Sequence, residues 1–127
     1  MKTIIAPLFC MQSKKKKFIY NLNVYRNAHY RTLNTVKINY KADVSDQIDL
    51  LPQLHRIGLT YVLYPKTRRR TDLANVLSVH DKFFADALVE CGKIEDDDYK
   101  HVVTTTYKFG RVDPTYPRVE IYIQEIP

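Results

Sequence analysis

Tryptophan is absent from the 127 residues, and only two are cysteine, Cys10 and Cys91. The two thiols lie far apart, with no CxxC pair and no histidine at ligand spacing. Neither a zinc site nor a disulfide framework is indicated, and both are expected as reduced thiols of a cytoplasmic protein. No run approaches the ~18 apolar residues of a membrane-spanning helix, so none is expected. The opening residues, MKTIIAPLFCMQ, hold a short apolar run followed by lysines, with no small-residue cleavage site. A signal peptide is therefore not expected. Repeats, low-complexity segments and internal linkers are missing too, which leaves one domain.

What the chain does have is positive charge and tyrosine. A formal charge of +6 points to polyanionic partners, without separating DNA from RNA or a membrane surface. Ten tyrosines carry most of the aromatic surface; such side chains pack in strands and still offer a hydroxyl to phosphate or a ring face to a base.

Thr3 to Phe9 is rich in β-branched and apolar residues and reads as a first strand, with Pro7 pushing it to an edge. Ser13 to Lys17 is a charged turn, and Phe18 to Val24 alternates as a second strand. The spacing of Tyr30, Leu33, Val36 or Lys37, Tyr40 and Val44 predicts a helix from about Ala28 to Ile48, with Asn27 as its cap. Arg56 to Tyr64 is the clearest strand, stopped by Pro65. A second helix is expected over Asp72 to Cys91, and further strands over His101 to Phe109 and Arg118 to Ile126. That order implies an α+β fold, a mixed sheet with two main helices packed mainly on one face.

Three basic or polar clusters suit a nucleic-acid backbone. They are the lysine run Lys14, Lys15, Lys16 and Lys17; the turn residues Tyr25, Arg26 and His29 with Asn23; and the loop Lys66, Arg68, Arg69 and Arg70. Each also has a plain reading, as a solvated turn or as the residues that cap a helix.

The stretch Arg68 to Tyr99 carries the chemistry. At ~100° per residue, Leu73, Val76, Leu77, His80, Phe83, Phe84, Ala87 and Leu88 gather on one core-facing side of its helix. Asp72, Asn75, Lys82 and Asp86 fall on an adjoining stripe. After Gly92 breaks the helix come Asp96, Asp97 and Asp98, adjacent carboxylates that raise one another's pKa unless a cation relieves them. Mg2+ takes such oxygens together with water and substrate phosphate, and a site of this kind hydrolyses phosphodiesters with a lysine meeting the developing charge. A solvated stripe with Asp72 as a helix cap would look similar.

The pattern R-R-R-x-D-L-x-N…D-K-x-x-x-D-A-L-x-x-x-G-x-x-x-D-D, spanning Arg68 to Tyr99, resembles that of the RusA-type Holliday junction resolvases of phages and prophages. The resemblance implies a homodimeric, Mg2+-dependent endodeoxyribonuclease, with Mn2+ as a substitute ion. Such an enzyme cuts four-way DNA junctions by paired nicks in recombination and repair, in the bacterial host cytoplasm if phage-encoded. It implies Asp72, Lys82 and Asp96 as catalytic residues, a metal held among Asp72, Asp86, Asp96 and Asp97, and Asn75 beside the DNA. Two departures stand out. Ala74 occupies the place of the family's second aspartate, and about four extra residues, roughly one helical turn, separate Asn75 from Lys82. Ala74 favours a second reading, a branched-DNA-binding module without full cleavage. A third, a small protein-interaction domain, predicts no DNA affinity.

Overall fold

Val119, Ile121 and Ile123 are buried while their neighbours point the other way, the period-two pattern that makes Arg118–Glu125 a half-covered strand. This last strand, β6, lies inside the sheet. In the computed structural model, which describes residues 1–127, it runs antiparallel to β1 (Lys2–Ala6) on one side and to β4 (Ile57–Tyr64) on the other. Ile121 is the register partner of both Ile4 and Tyr61. β5 (Val102–Phe109) completes the order β1-β6-β4-β5 and is parallel to β4. A parallel pair needs a crossover, and α3 (Leu73–Glu90) supplies it. The result is a mixed sheet in an α+β fold.

The helices share one face of that sheet. α2 (Tyr30–Asp49) buries Val36, Tyr40, Val44 and Ile48, and α3 buries Leu77, His80, Phe84 and Leu88 against Ile57, Leu59, Tyr61 and Leu63 of β4. Phe84 is fully buried; truncating such a ring to alanine costs about 3–5 kcal/mol. No helix is long and apolar enough to cross a membrane.

The N-terminal third differs from its sequence reading. The expected strand Thr3–Phe9 breaks at Pro7, which cannot donate a ladder hydrogen bond. β2 (Phe9–Met11) instead pairs with β3 (Lys17–Ile19) as a separate hairpin whose tip carries Lys14, Lys15 and Lys16. The expected strand Phe18–Val24 stops at Ile19, because the Asn21 side chain accepts a hydrogen bond from Val24 N (2.9 Å) and starts α1 (Leu22–Asn27). The long helix then begins at Tyr30 rather than Ala28. Its cap is His29, whose Nδ1 accepts from Arg31 N (3.2 Å), and not Asn27.

α3 follows the expected bounds closely, capped by Asp72 and ended at Gly92. Gly92 has φ of 74°, a left-handed conformation that glycine adopts without a Cβ penalty. The amide of Lys93 donates to Leu88 O and that of Gly92 to Val89 O, both at 2.9 Å, which is a Schellman ending. Lys93 Nζ then donates to Leu51 O (2.8 Å) and Ile94 is buried. These ties turn the chain so that Glu95–Asp98 runs back alongside α3 toward β5.

Candidate functional site

Helix α3 positions the site, and the residue at its centre is Asp81. It sits four residues after Leu77 and four before Ala85, both buried, so helical geometry turns it toward the sheet. There Tyr61 of β4 donates its hydroxyl to Asp81 Oδ1 (2.9 Å) and Tyr107 of β5 donates to Oδ2 (3.3 Å). The two tyrosines are register partners across the parallel pair, so adjacent strands present both hydroxyls to one carboxylate. Burial raises the Asp81 pKa above the usual carboxylate range, against the opposing pull of the two hydroxyls and of Lys82.

A cleft of about 250 Å³ opens beside it, lined by Asp81, Lys82, Ala85, Asp97, Val102 and Thr105. Asp97 is exposed, and its pKa is raised first by the slight desolvation at the cleft wall and then by its hydrogen bond with Asp96 and the nearby charges of Asp86 and Asp96. Lys82 is exposed, with its ammonium 5.9 Å from the Tyr25 ring centroid. The cleft thus holds one half-buried and one exposed carboxylate, both with raised pKa values, and one cation, at the edge of the sheet.

The remaining acids of the region have partners of their own. Asp86 meets Lys37 Nζ at 3.4 Å, and Glu90 meets Lys37 and Lys41 at 3.2 and 3.3 Å. Asp96 Oδ1 accepts the Asp97 amide (2.8 Å). Asp98 accepts from His101 Nδ1 (2.7 Å), and that contact lowers its pKa.

Of the residues expected from sequence, Lys82 and Asp97 share this cleft, with Asp96 and Asp86 at its margin. Asp72 does not join them. It caps α3, accepting Ala74 N at 3.0 Å, and stands nine positions before Asp81, about 14 Å along the axis at 1.5 Å per residue. Asn75 belongs to that same first turn. Asp72 therefore lines no part of the cleft that holds Asp97. No three His, Cys, Asp or Glu side chains are grouped to hold a metal ion. Two carboxylates nevertheless fit a hard cation that keeps water and takes the rest of its oxygens from substrate phosphate.

The expected DNA contacts divide. Lys14, Lys15 and Lys16 are exposed at the hairpin tip, and Lys17 lies 4.5 Å over Phe9. Tyr25 is half-buried against Phe83, and His29 caps α2 and packs on Tyr30, so both have structural work. Arg26, Lys66, Arg68, Arg69 and Arg70 are exposed.

Asp81 was given no role from the sequence, although it is the aspartate of the D-K pair in the pattern above and stands in the column of Leu77 and Ala85. No protein-family model matches the chain, and no curated protein matches it.

Proposed function

We propose that this protein is a divalent-metal-dependent endodeoxyribonuclease acting on branched DNA, four-way junctions foremost. One observation carries the reading: Asp81 and Asp97, both with raised proton affinity, face one cleft with Lys82 in an otherwise basic chain. Bound Mg2+, or Mn2+ in its place, supplies Lewis acidity toward the scissile phosphate and its attacking water. Asp81 and Asp97 would hold the ion. Tyr61 and Tyr107 fix the Asp81 carboxylate, so its oxygens need no reordering when charge arrives. Lys82 meets negative charge developing on the phosphate oxygens. The exposed lysines and arginines hold the backbone, which makes binding strongly salt-dependent. A homodimer with one cleft per subunit suits the two-fold symmetry of a junction.

The deciding assay offers labelled junction, flap and duplex DNA to purified protein with Mg2+ or Mn2+. Cleavage of the branched substrates, lost in Asp81→Asn and Asp97→Asn and kept in Asp72→Asn, is the expected result. Intact junctions under conditions of tight binding would overturn it.

A second reading is a branched-DNA-binding module that does not cut. It is favoured by the distance of Asp72 from the cleft and by a grouping of two carboxylates rather than three. Calorimetry with Mn2+ separates the two: heat that vanishes in Asp81→Asn supports the nuclease, and no metal heat supports the module.

A further inference from the structure

A second cavity, of about 190 Å³, opens where β4 and β5 end, lined in part by Thr67, Arg68, Arg69, Arg70, Thr71 and Phe109. It is smaller than the roughly 300–1,000 Å³ of drug-sized ligand sites, a size that suits a single phosphate group. The three arginines are exposed and none is paired with a carboxylate, whereas Arg118 is held by Asp113 (2.9 Å) and Glu120 (2.8 Å). Asp72, the nearest acid in sequence, is engaged with the amide of Ala74. Positive charge is therefore gathered here without an internal counter-ion. The Phe109 ring beside it is 57% exposed, a large apolar surface that the fold leaves uncovered.

Arginines alone would serve any DNA backbone. An exposed aromatic ring adds something only for a base whose face is free, because bases inside a duplex are already stacked on their neighbours. We propose that this pocket binds an unpaired nucleotide of a DNA strand, its phosphate among Arg68, Arg69 and Arg70 and its base on Phe109. The inference rests on the DNA-processing reading above and adds to it a preference for branches that carry an unpaired nucleotide or open one at the branch point. Thr105 of β5 lines the acid cleft and Phe109 lies four residues further along the same strand. At about 3.3 Å per residue this is about 13 Å along the strand. The unpaired nucleotide thus lies further along β5 than the phosphate presented to Asp81 and Asp97.

The test is fluorescence anisotropy in EDTA with a labelled single-stranded oligonucleotide, a flapped duplex and a fully paired duplex of the same sequence. Phe109→Ala should weaken single-strand and flap binding about tenfold, leave duplex binding unchanged, and be rescued by Phe109→Tyr. Replacing Arg68, Arg69 and Arg70 together by glutamine should weaken all three and lower the salt slope on the single strand by about two. A thermal melt of each variant verifies folding, which an exposed ring leaves intact. Phe109→Ala that binds single strands like the wild type, or that loses duplex binding by the same factor, overturns the proposal. So does a wild-type protein with no preference for unpaired DNA. Binding without metal is independent of cutting: a Phe109-dependent preference in a protein that cleaves nothing would sink only the nuclease reading.

Discussion

The two flanks of α3 carry acids in opposite electrostatic conditions. Toward α2, Asp86 and Glu90 meet Lys37 and Lys41, and these lysines hold the Glu90 carboxyl below its usual range. Toward β5, Asp81 and Asp97 have raised pKa values, with desolvation the leading cause for both. The first flank is a tie between helices, complete within the chain. On the second, negative charge is placed where the protein supplies only Lys82 and two tyrosine hydroxyls to offset it. Acid count alone would rank the flanks equally; the partners of each acid separate them.

The contrast can be broken most sharply by removing charge on each side. Asp81→Asn and Asp97→Asn should reduce metal-dependent cleavage to background, while Asp86→Asn should leave the rate within a few-fold of wild type, as measured in single-turnover assays on junction and flap DNA. Comparable losses in all three variants would erase the distinction.

Next in size is the support of Asp81. Tyr61→Phe should weaken Mn2+ binding by about 10–100-fold, the usual cost of losing an outer partner of a ligand. Tyr107→Phe should weaken it less, since its hydrogen bond is longer, 3.3 against 2.9 Å. Calorimetric titration reads both.

The flanks should also respond to pH with opposite sign. Asp81 has a folded pKa above its ordinary 3.8, so the folded state holds its proton longer and stability falls as pH rises from 3.8 through the raised value. Asp81→Asn should therefore stabilise the metal-free protein at neutral pH. Glu90 has a lowered pKa, so its contribution is present above 4.5 and is lost as pH falls through the lower folded value. A third group adds to the acid side. His80 is buried, hydrogen-bonded through Nδ1 to the Tyr40 hydroxyl (2.8 Å), and burial pushes its pKa down to about 3. The unfolded chain takes up that proton near 6.5 and the folded chain does not, so stability drops from pH 6.5 toward 3, by a few kcal/mol. Thermal melts across pH 3–8, with and without Mn2+, resolve these slopes.

The smallest effect belongs to the paired flank. Lys37→Met should cost no more than about 0.5 kcal/mol, since both partners are substantially exposed and screened by solvent. The loss should shrink further in high salt, and cleavage should be unchanged.

Legibility from sequence varied with how local the cause is. The apolar run of β4, the alternation of β6, and α3 with its Asp72 cap and Gly92 ending are short-range patterns, and the structure has their bounds within a residue or two, although β4 is buried along most of its length rather than alternating. The N-terminal third was misread because competing local signals overlap there. Phe18 and Tyr20 alternate like a strand and are both fully buried, yet Asn21 and His29 cap helices between them and Tyr40. Asp81 stood in the motif directly before Lys82, yet no local signal told it apart as a site residue. Its partners, Tyr61 and Tyr107, lie 20 positions before and 26 after it, and only the β4–β5 register brings them together. Conversely, Asp72 fits the motif and yet caps its helix, since spacing along a helix does not report distance across it.

The strand order has a consequence for how the molecule comes into being. β6 is the last strand in the chain, yet it lies between β1, the first, and β4. A ribosome delivering the chain from its N-terminus can release the β4–α3–β5 unit, acid cleft included, while the place beside β4 is still empty. β1 must wait for the last strand before it has a neighbour in the sheet. Closure joins residues more than a hundred positions apart, such as Ile4 and Ile121, the kind of distant pairing that slows folding. Removing Arg118–Glu125 would not trim an edge but split the sheet down its middle.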